Sequence, residues 1–383
     1  MEKMKGETAM FRRFLLAPDS FKGTLEAAEV CEIFAEAIRS EVPDAQIAAI
    51  PMADGGEGMT ETYLKLLGGA RISVQVTGPL GAPVEGFYGR LNDGSAVIEM
   101  AAAAGLPLAG EVRDPLNATS FGVGELIRHA VEHGAQRILL GLGGSATNDL
   151  GIGMAAALGW RFLDATGAGL VPLAKNLGRV ARILPPEKAL PCAVTAACDV
   201  RNPLLGDDGA TAVYGPQKGV TAQLRPILEA GIGHVSEMLE DMLGIELRNV
   251  PGAGAAGGMG AGVLAFLGGS LKPGIELILD AVDFDARLRH ADVVFTGEGR
   301  MDRQSANGKV PMGVGLRCRS AGVPCVALCG SLGEGAEELR RCGVTACFSA
   351  VRGETDFARI RESCREDLYR LTRSVVRLMN AGT

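Results

Sequence analysis

Short apolar runs alternate with segments of helical periodicity along most of this chain, the pattern expected of parallel βα units. Phe14–Ala17 is the first run and Ile47–Met52 the second. Between them Leu25, Val30, Ile33, Phe34, Ala37 and Ile38 fall close to one helical face, with Thr24 as the expected N-cap and Pro43 beyond the end. From Arg71 the texture changes. "ISVQVTGP", "VEGFYGRL" and "SAVIEM" are short runs separated by turn residues, which predicts hairpins. The parallel pattern returns with "RILLGLGG" and "CAVTAACDV", and again with "ADVVFTGEG", "VPCVALCGSL" and "VTACFSAV" in the C-terminal third. The expected fold class is therefore α/β with two domains. A parallel-sheet, Rossmann-like terminal domain comes from residues 1–70 plus 288–383, and a mixed-sheet α/β domain, residues 71–287, is inserted into it.

Composition agrees with that division. A chain of 383 residues exceeds one ordinary core, and 54 glycines with few aromatics suit α/β architecture. A net charge of −7 argues against nucleic acid as partner. Nine cysteines without a C-x-x-C pair read as reduced, mostly buried thiols. The N-terminal stretch lacks the apolar core of a signal peptide, and the uncharged segment 252–271 is too rich in glycine for a convincing membrane span. The expectation is a soluble, cytoplasmic protein without a membrane partner; a homo-oligomer stays open.

Open α/β sheets bind ligands at the C-terminal ends of their strands. Five such junctions carry reactive side chains: "APDSFKGT", "PMADGGEG", "GLGGSATND", "AACDVRNP" and "TGEGRMDRQS". In the third, a helix is expected to begin around Ser145 to Asn148, either seating a carboxylate or phosphate or simply capped by Ser145 or Thr147. Gly252, Gly254 and Gly257 form a literal G-x-G-x-x-G, but "IELRNV" before it does not resemble the apolar first strand of a dinucleotide domain. A glycine loop opening a helix against a nucleotide phosphate fits better. His129 and His133 have ligand spacing without a third partner, so an interaction with their helix C-terminus is the expected role. What remains at the strand ends is Asp19, Lys22, Asp54, Glu57, Asp149, Asp199, Lys218, Glu298 and Asp302. Acids for Mg²⁺, amines for phosphate and loops that admit it are the parts that phosphoryl transfer needs.

The same motifs, with "NATSFGVGELI", "CDVRNPLLG", "YGPQKG", "GAGAAGGMGAG", "LKPGIE" and "TGEGRMDRQSANGK", run in order almost end to end. With them the sequence resembles the bacterial glycerate kinase type 1 family. The resemblance implies an active site in an interdomain cleft, ATP and Mg²⁺ as cofactors, and D-glycerate as substrate with phosphoglycerate, usually the 2-phospho isomer, as product. It departs where Leu150 stands in place of a usual glycine and where Cys198 and Arg201 flank Asp199. Carried onto this chain, it gives Asp199 and Lys22 as catalytic residues. Asp19, Ser20, Asp54, Ser145, Asn148 and Asp149 would meet the small acid. Lys218, Gly254, Gly257, Gly258 and Gly260 would meet the nucleotide, and Glu298 and Asp302 the metal. Two alternatives stay open: a non-catalytic hydroxy-acid-binding protein of the same fold, and a nicotinamide-dependent oxidoreductase.

Overall fold

A strand as apolar as Phe14–Ala17 needs cover on both faces, and a parallel sheet with helices on either side supplies it. The computed structural model describes residues 11–52, 58–111, 113–306, 308–351, 353 and 357–381. The strands of its two main sheets are β1 (Arg13–Pro18), β2 (Gln46–Ala49), β3 (Gly69–Thr77), β4 (Pro83–Leu91), β5 (Ser95–Glu99), β6 (Arg137–Gly141), β7 (Ala193–Ala197), β8 (Ser270–Lys272), β9 (Val293–Gly297), β10 (Cys325–Cys329) and β11 (Ala346–Ser349). The helices used below are α1 (Ala27–Glu41), α2 (Phe121–Glu132), α3 (Val310–Ala321) and α4 (Phe357–Met379).

The chain forms two compact units, one of residues 1–54 with 275–383 and one of residues 55–274. In the terminal unit the strand order is β11-β10-β9-β1-β2, and every pairing is parallel. The order reverses between β1 and β9, which makes their C-terminal ends a topological switch point, where crevices form in open sheets. Phe14, Phe34 and Phe295 pack edge to face in its core, and α1 turns Val30, Ile33, Phe34, Ala37 and Ile38 inward. The helix starts later than expected. Glu26 is its N-cap, in a capping box closed by Glu29. Thr24 instead donates its hydroxyl to Phe21 O.

The inserted unit has a mixed sheet ordered β8-β7-β6-β5-β4-β3. Its first four members pair in parallel, and β5-β4 and β4-β3 are the expected antiparallel hairpins. Its boundaries differ from 70/71 and 287/288. The helix Met59–Leu67 belongs to the inserted unit because Glu99, at the end of β5, accepts hydrogen bonds from the Gly58 and Thr60 amides. The helices Gly274–Ala281 and Phe284–Leu288 belong mainly to the terminal one, where Arg317 of α3 pairs with Glu276, Asp280 and Asp285. No described helix is long and apolar enough to cross a membrane.

Candidate active site

At the C-terminal end of the terminal sheet a cavity of about 640 Å³ is bordered by Ser20, Lys22, Glu298, Asp302 and Lys309, among others. The loops after β1, β9, β10 and β11 all reach it, with the first turns of α4 opposite. Asp19 lies behind this lining. It is buried, and its Oδ1 accepts the Ser20 amide at 2.6 Å, so it shapes the turn that carries Ser20 and Lys22. Glu298 is also buried, which pushes its carboxyl above the usual range; Ser305 and Lys309 oppose that shift. The Lys309 Nζ stands 3.5 Å from Glu298 Oε2, whereas Oε1 is buried without a hydrogen-bond partner. An orphaned carboxylate oxygen with Asp302 close enough to raise its pKa suits a hard divalent cation. Among the described residues no group of three or more His, Cys, Asp or Glu could hold a metal alone. A cation there would draw most of its ligands from phosphate and water, as Mg²⁺ commonly does.

The inserted unit has a smaller pocket, about 310 Å³, at the ends of β6 and β7. Gly143, Gly144, Ser145, Asp199, Tyr214 and Lys218 border it. Lys218 is only 2% exposed; its Nζ donates to Ser145 Oγ at 2.8 Å and to Thr147 O at 2.7 Å. Burial lowers its pKa to about 7, against the opposing field of Asp149. Asp199 Oδ1 accepts the Gly274 amide at 2.8 Å, which fixes the carboxylate at the end of β7. The helix expected at Ser145–Asn148 is absent. Residues 145–151 form a loop, and the helix that follows, Ile152–Ala157, begins after Gly151 and has only six residues. Ser145 and Thr147 therefore cap nothing.

Asn148 and Asp149, within this loop, are fully buried and do not line the pocket. Asp149 accepts hydrogen bonds from the Ser120 amide (2.9 Å) and hydroxyl (2.7 Å) and from the Gly151 amide (3.2 Å). Burial raises its pKa and these donors resist the rise. Asn148 Nδ2 donates to Thr211 Oγ1 at 2.9 Å. Leu150, where a glycine was expected, takes φ 57 and is fully buried. The left-handed backbone explains why glycine suits this position, and burial of the leucine side chain offsets the strain.

The glycine run of the inserted unit is occupied by the protein itself. No strand precedes Gly252, the context a dinucleotide fingerprint requires. Ala256, Gly257 and Gly258 break the helix with φ of 54, 71 and 90°. A Cβ on Gly254, Gly257 or Gly260 would stand 2.1 Å from the carbonyl oxygen of Pro203, Thr147 or Gly252 respectively, and one on Gly258 would stand 3.1 Å from Leu150 Cα. Close packing against neighbouring backbone accounts for these glycines. Asp54 and Glu57 lie outside the described residues. His129 and His133 stack at 4.0 Å, with His133 Nδ1 on His129 O at the end of α2, as a helix C-terminus favours.

Sequence reasoning passed over Lys309, although it stands in a quoted motif, and over the lining from α4, Ile360, Cys364 and Asp367, which carries no motif.

Fold and strand-end chemistry together define an α/β protein of two units, each with a ligand-sized pocket at the carboxyl ends of its parallel strands. The sequence profile of the glycerate kinase family matches residues 14–380. A glycerate kinase of Bacillus subtilis (strain 168) is 42% identical, over 95% of this chain and 96% of the relative. A glycerate 2-kinase of Escherichia coli (strain K12) is 41% identical, over 97% and 98%. The crystal structure reported under the name glycerate kinase 2 from Salmonella typhimurium LT2 superposes with a TM-score of 0.82 at 40% identity, covering 97% of this chain and 99% of that one. The chain belongs to the glycerate kinase family, and it is a kinase enzyme.

Proposed function

We propose that the protein transfers the γ-phosphoryl group of ATP to D-glycerate, giving 2-phospho-D-glycerate, with the small acid in the pocket of the inserted unit. The observation that carries this reading is the make-up of that pocket. It combines an anchored carboxylate, Asp199, with a buried lysine and hydroxyl pair, Lys218 and Ser145, in a volume suited to a three-carbon acid. Lys218 and Ser145 would neutralise and hydrogen-bond the glycerate carboxylate. Asp199 would accept the proton of the attacking hydroxyl. That oxygen forms the new bond to the γ-phosphorus, the bridging P–O bond breaks, and ADP leaves with the bond's electron pair. Lys22 would stabilise charge on the transferring group, and Ser20 would add a hydrogen bond at the same strand ends. Mg²⁺ held by Glu298 and Asp302 would neutralise phosphate charge when bound. Asn148 and Asp149 support the pocket from below, as does the glycine packing at Gly254 to Gly260.

Regiochemistry enters through the name of the Escherichia coli relative, a glycerate 2-kinase. Incubation with D-glycerate, ATP and Mg²⁺, followed by phosphorus NMR, should show a 2-phosphoglycerate doublet and ADP. A 3-phosphoglycerate signal would correct the regiochemistry, and no phosphoglycerate at all would overturn the reading.

A further inference from the structure

We propose that the cavity of the terminal unit is the nucleotide site of this kinase, with the start of α4 as its nucleoside wall. Ile360 and Cys364 would cover the base, Asp367 would bind the ribose hydroxyls or an exocyclic amine, and Lys22 and Lys309 would face the phosphates. The proposal rests on the kinase reading above, and it places the nucleotide away from Lys218 and the Gly254–Gly260 run.

Four observations on this unit lead to it. The cavity, about 640 Å³, has twice the volume of the pocket beside Lys218 and falls in the range of small-ligand sites. It opens at the β1/β9 switch point, where sheets of this strand order leave a crevice. Its lining is graded along the sheet. Loops at the β9 and β1 ends bring Glu298 and Lys22, whereas the β11 end and α4 bring Ala350, Val351, Ile360 and Cys364. With neighbouring strands ~4.8 Å apart, β11 and β1 are separated by roughly 14 Å, a span suited to a base at one end and a polyphosphate at the other. Lastly, Asp367 is half-buried on this lining and makes no side-chain hydrogen bond or ion pair with a described residue. A carboxylate in that position gains a partner when a sugar or amine enters. The glycine run of the inserted unit offers no such room, since the carbonyls of Pro203, Thr147 and Gly252 already occupy the approach to Gly254, Gly257 and Gly260.

Each pocket carries its own reporter thiol, Cys364 in the terminal unit and Cys198 in the inserted one. The full-length protein is alkylated with iodoacetamide alone, with Mg-ATP or with D-glycerate, and the rate at each cysteine is read by peptide mapping. Mg-ATP should slow Cys364 by about tenfold or more at saturation, and D-glycerate should not. Unchanged alkylation of Cys364 at an ATP concentration that supports ADP release would overturn the nucleotide site while leaving the kinase reading intact. Protection of Cys364 without any phosphoglycerate formation would keep the site and remove the kinase reading. As a second readout, Ile360→Ala and Asp367→Asn should each raise the ATP KM about tenfold and keep the D-glycerate KM within about twofold. An unchanged ATP KM in both variants would count against the α4 wall.

Discussion

Both pockets lie at the carboxyl ends of parallel strands, yet their charged groups are held in opposite ways. On the terminal unit's pocket lining the pairs are long: Lys309 to Glu298 at 3.5 Å and Arg300 to Asp302 at 3.6 Å, with Glu298 Oε1 left without a partner. In the inserted unit Lys218 is sealed from water and bonded at 2.8 and 2.7 Å to Ser145 and Thr147 of the loop after β6. Loosely paired charges can be exchanged for ligand charges at little cost, whereas bonded and buried ones keep their geometry before a ligand arrives. The first arrangement suits the proposed nucleotide, and the second suits the proposed small acid held in a fixed pose.

That contrast can be broken at several points. The largest effect should come from Asp199→Asn, which removes the proposed proton acceptor and should lower kcat by about 10²–10⁴-fold with an unchanged unfolding midpoint. Near-normal turnover would take Asp199 out of the mechanism. Gly257→Ala comes next, because its Cβ would meet Thr147 O in a backbone at φ 71. A loss of about 3 kcal/mol or more is expected in chemical denaturation. A variant of normal stability that bound ATP weakly would instead make the glycine run a nucleotide contact. Glu298→Gln should raise the Mg²⁺ concentration needed for half-maximal activity about tenfold and leave the D-glycerate KM alone.

The smallest effect concerns pH. Lys218 is an ammonium below its folded pKa of about 7 and neutral above it, so the D-glycerate KM should climb by a few-fold as pH rises through that value. Lys218→Met should abolish this slope and leave the ATP KM unmoved. The same group makes a stability statement. Its folded pKa lies below its ordinary 10.5, so the unfolded chain binds more protons between about 7 and 10.5. Its cost to folding is therefore fully present below pH 7 and fades as pH rises across that window.

Local periodicity made much of the fold legible. The buried face of α1 and the β3–β5 hairpins were readable because their signals lie within a dozen residues. Unit boundaries were not, because the allegiance of the helix Met59–Leu67 depends on Glu99, some forty positions later. The loop at 145–151 was misread as a helix start; its course depends on left-handed backbone at Gly144, Leu150 and Gly151, and a leucine there gives no warning. Motifs pointed to the strand ends, but only packing separates Ser145 and Lys218, which border a pocket, from Asn148 and Asp149, which lie beneath it. The α4 lining carried no signal at all, since isoleucine, cysteine and aspartate on an amphipathic helix look like any half-exposed face.

The pairing of β1 with β9 has a further consequence, for the order of events during synthesis. Thr296 Oγ1 donates to Ala17 O across that pair, and the two residues are 279 positions apart. At translation speeds of about 5–20 residues per second, β1 emerges roughly 15–60 s before the strand that completes its sheet. The inserted unit is contiguous and can finish folding in that interval. The apolar strand and the α1 face that precede it must wait, so the nascent chain carries an open sheet edge through most of its own translation, and the burden on holding chaperones falls on its first fifty residues rather than on its last.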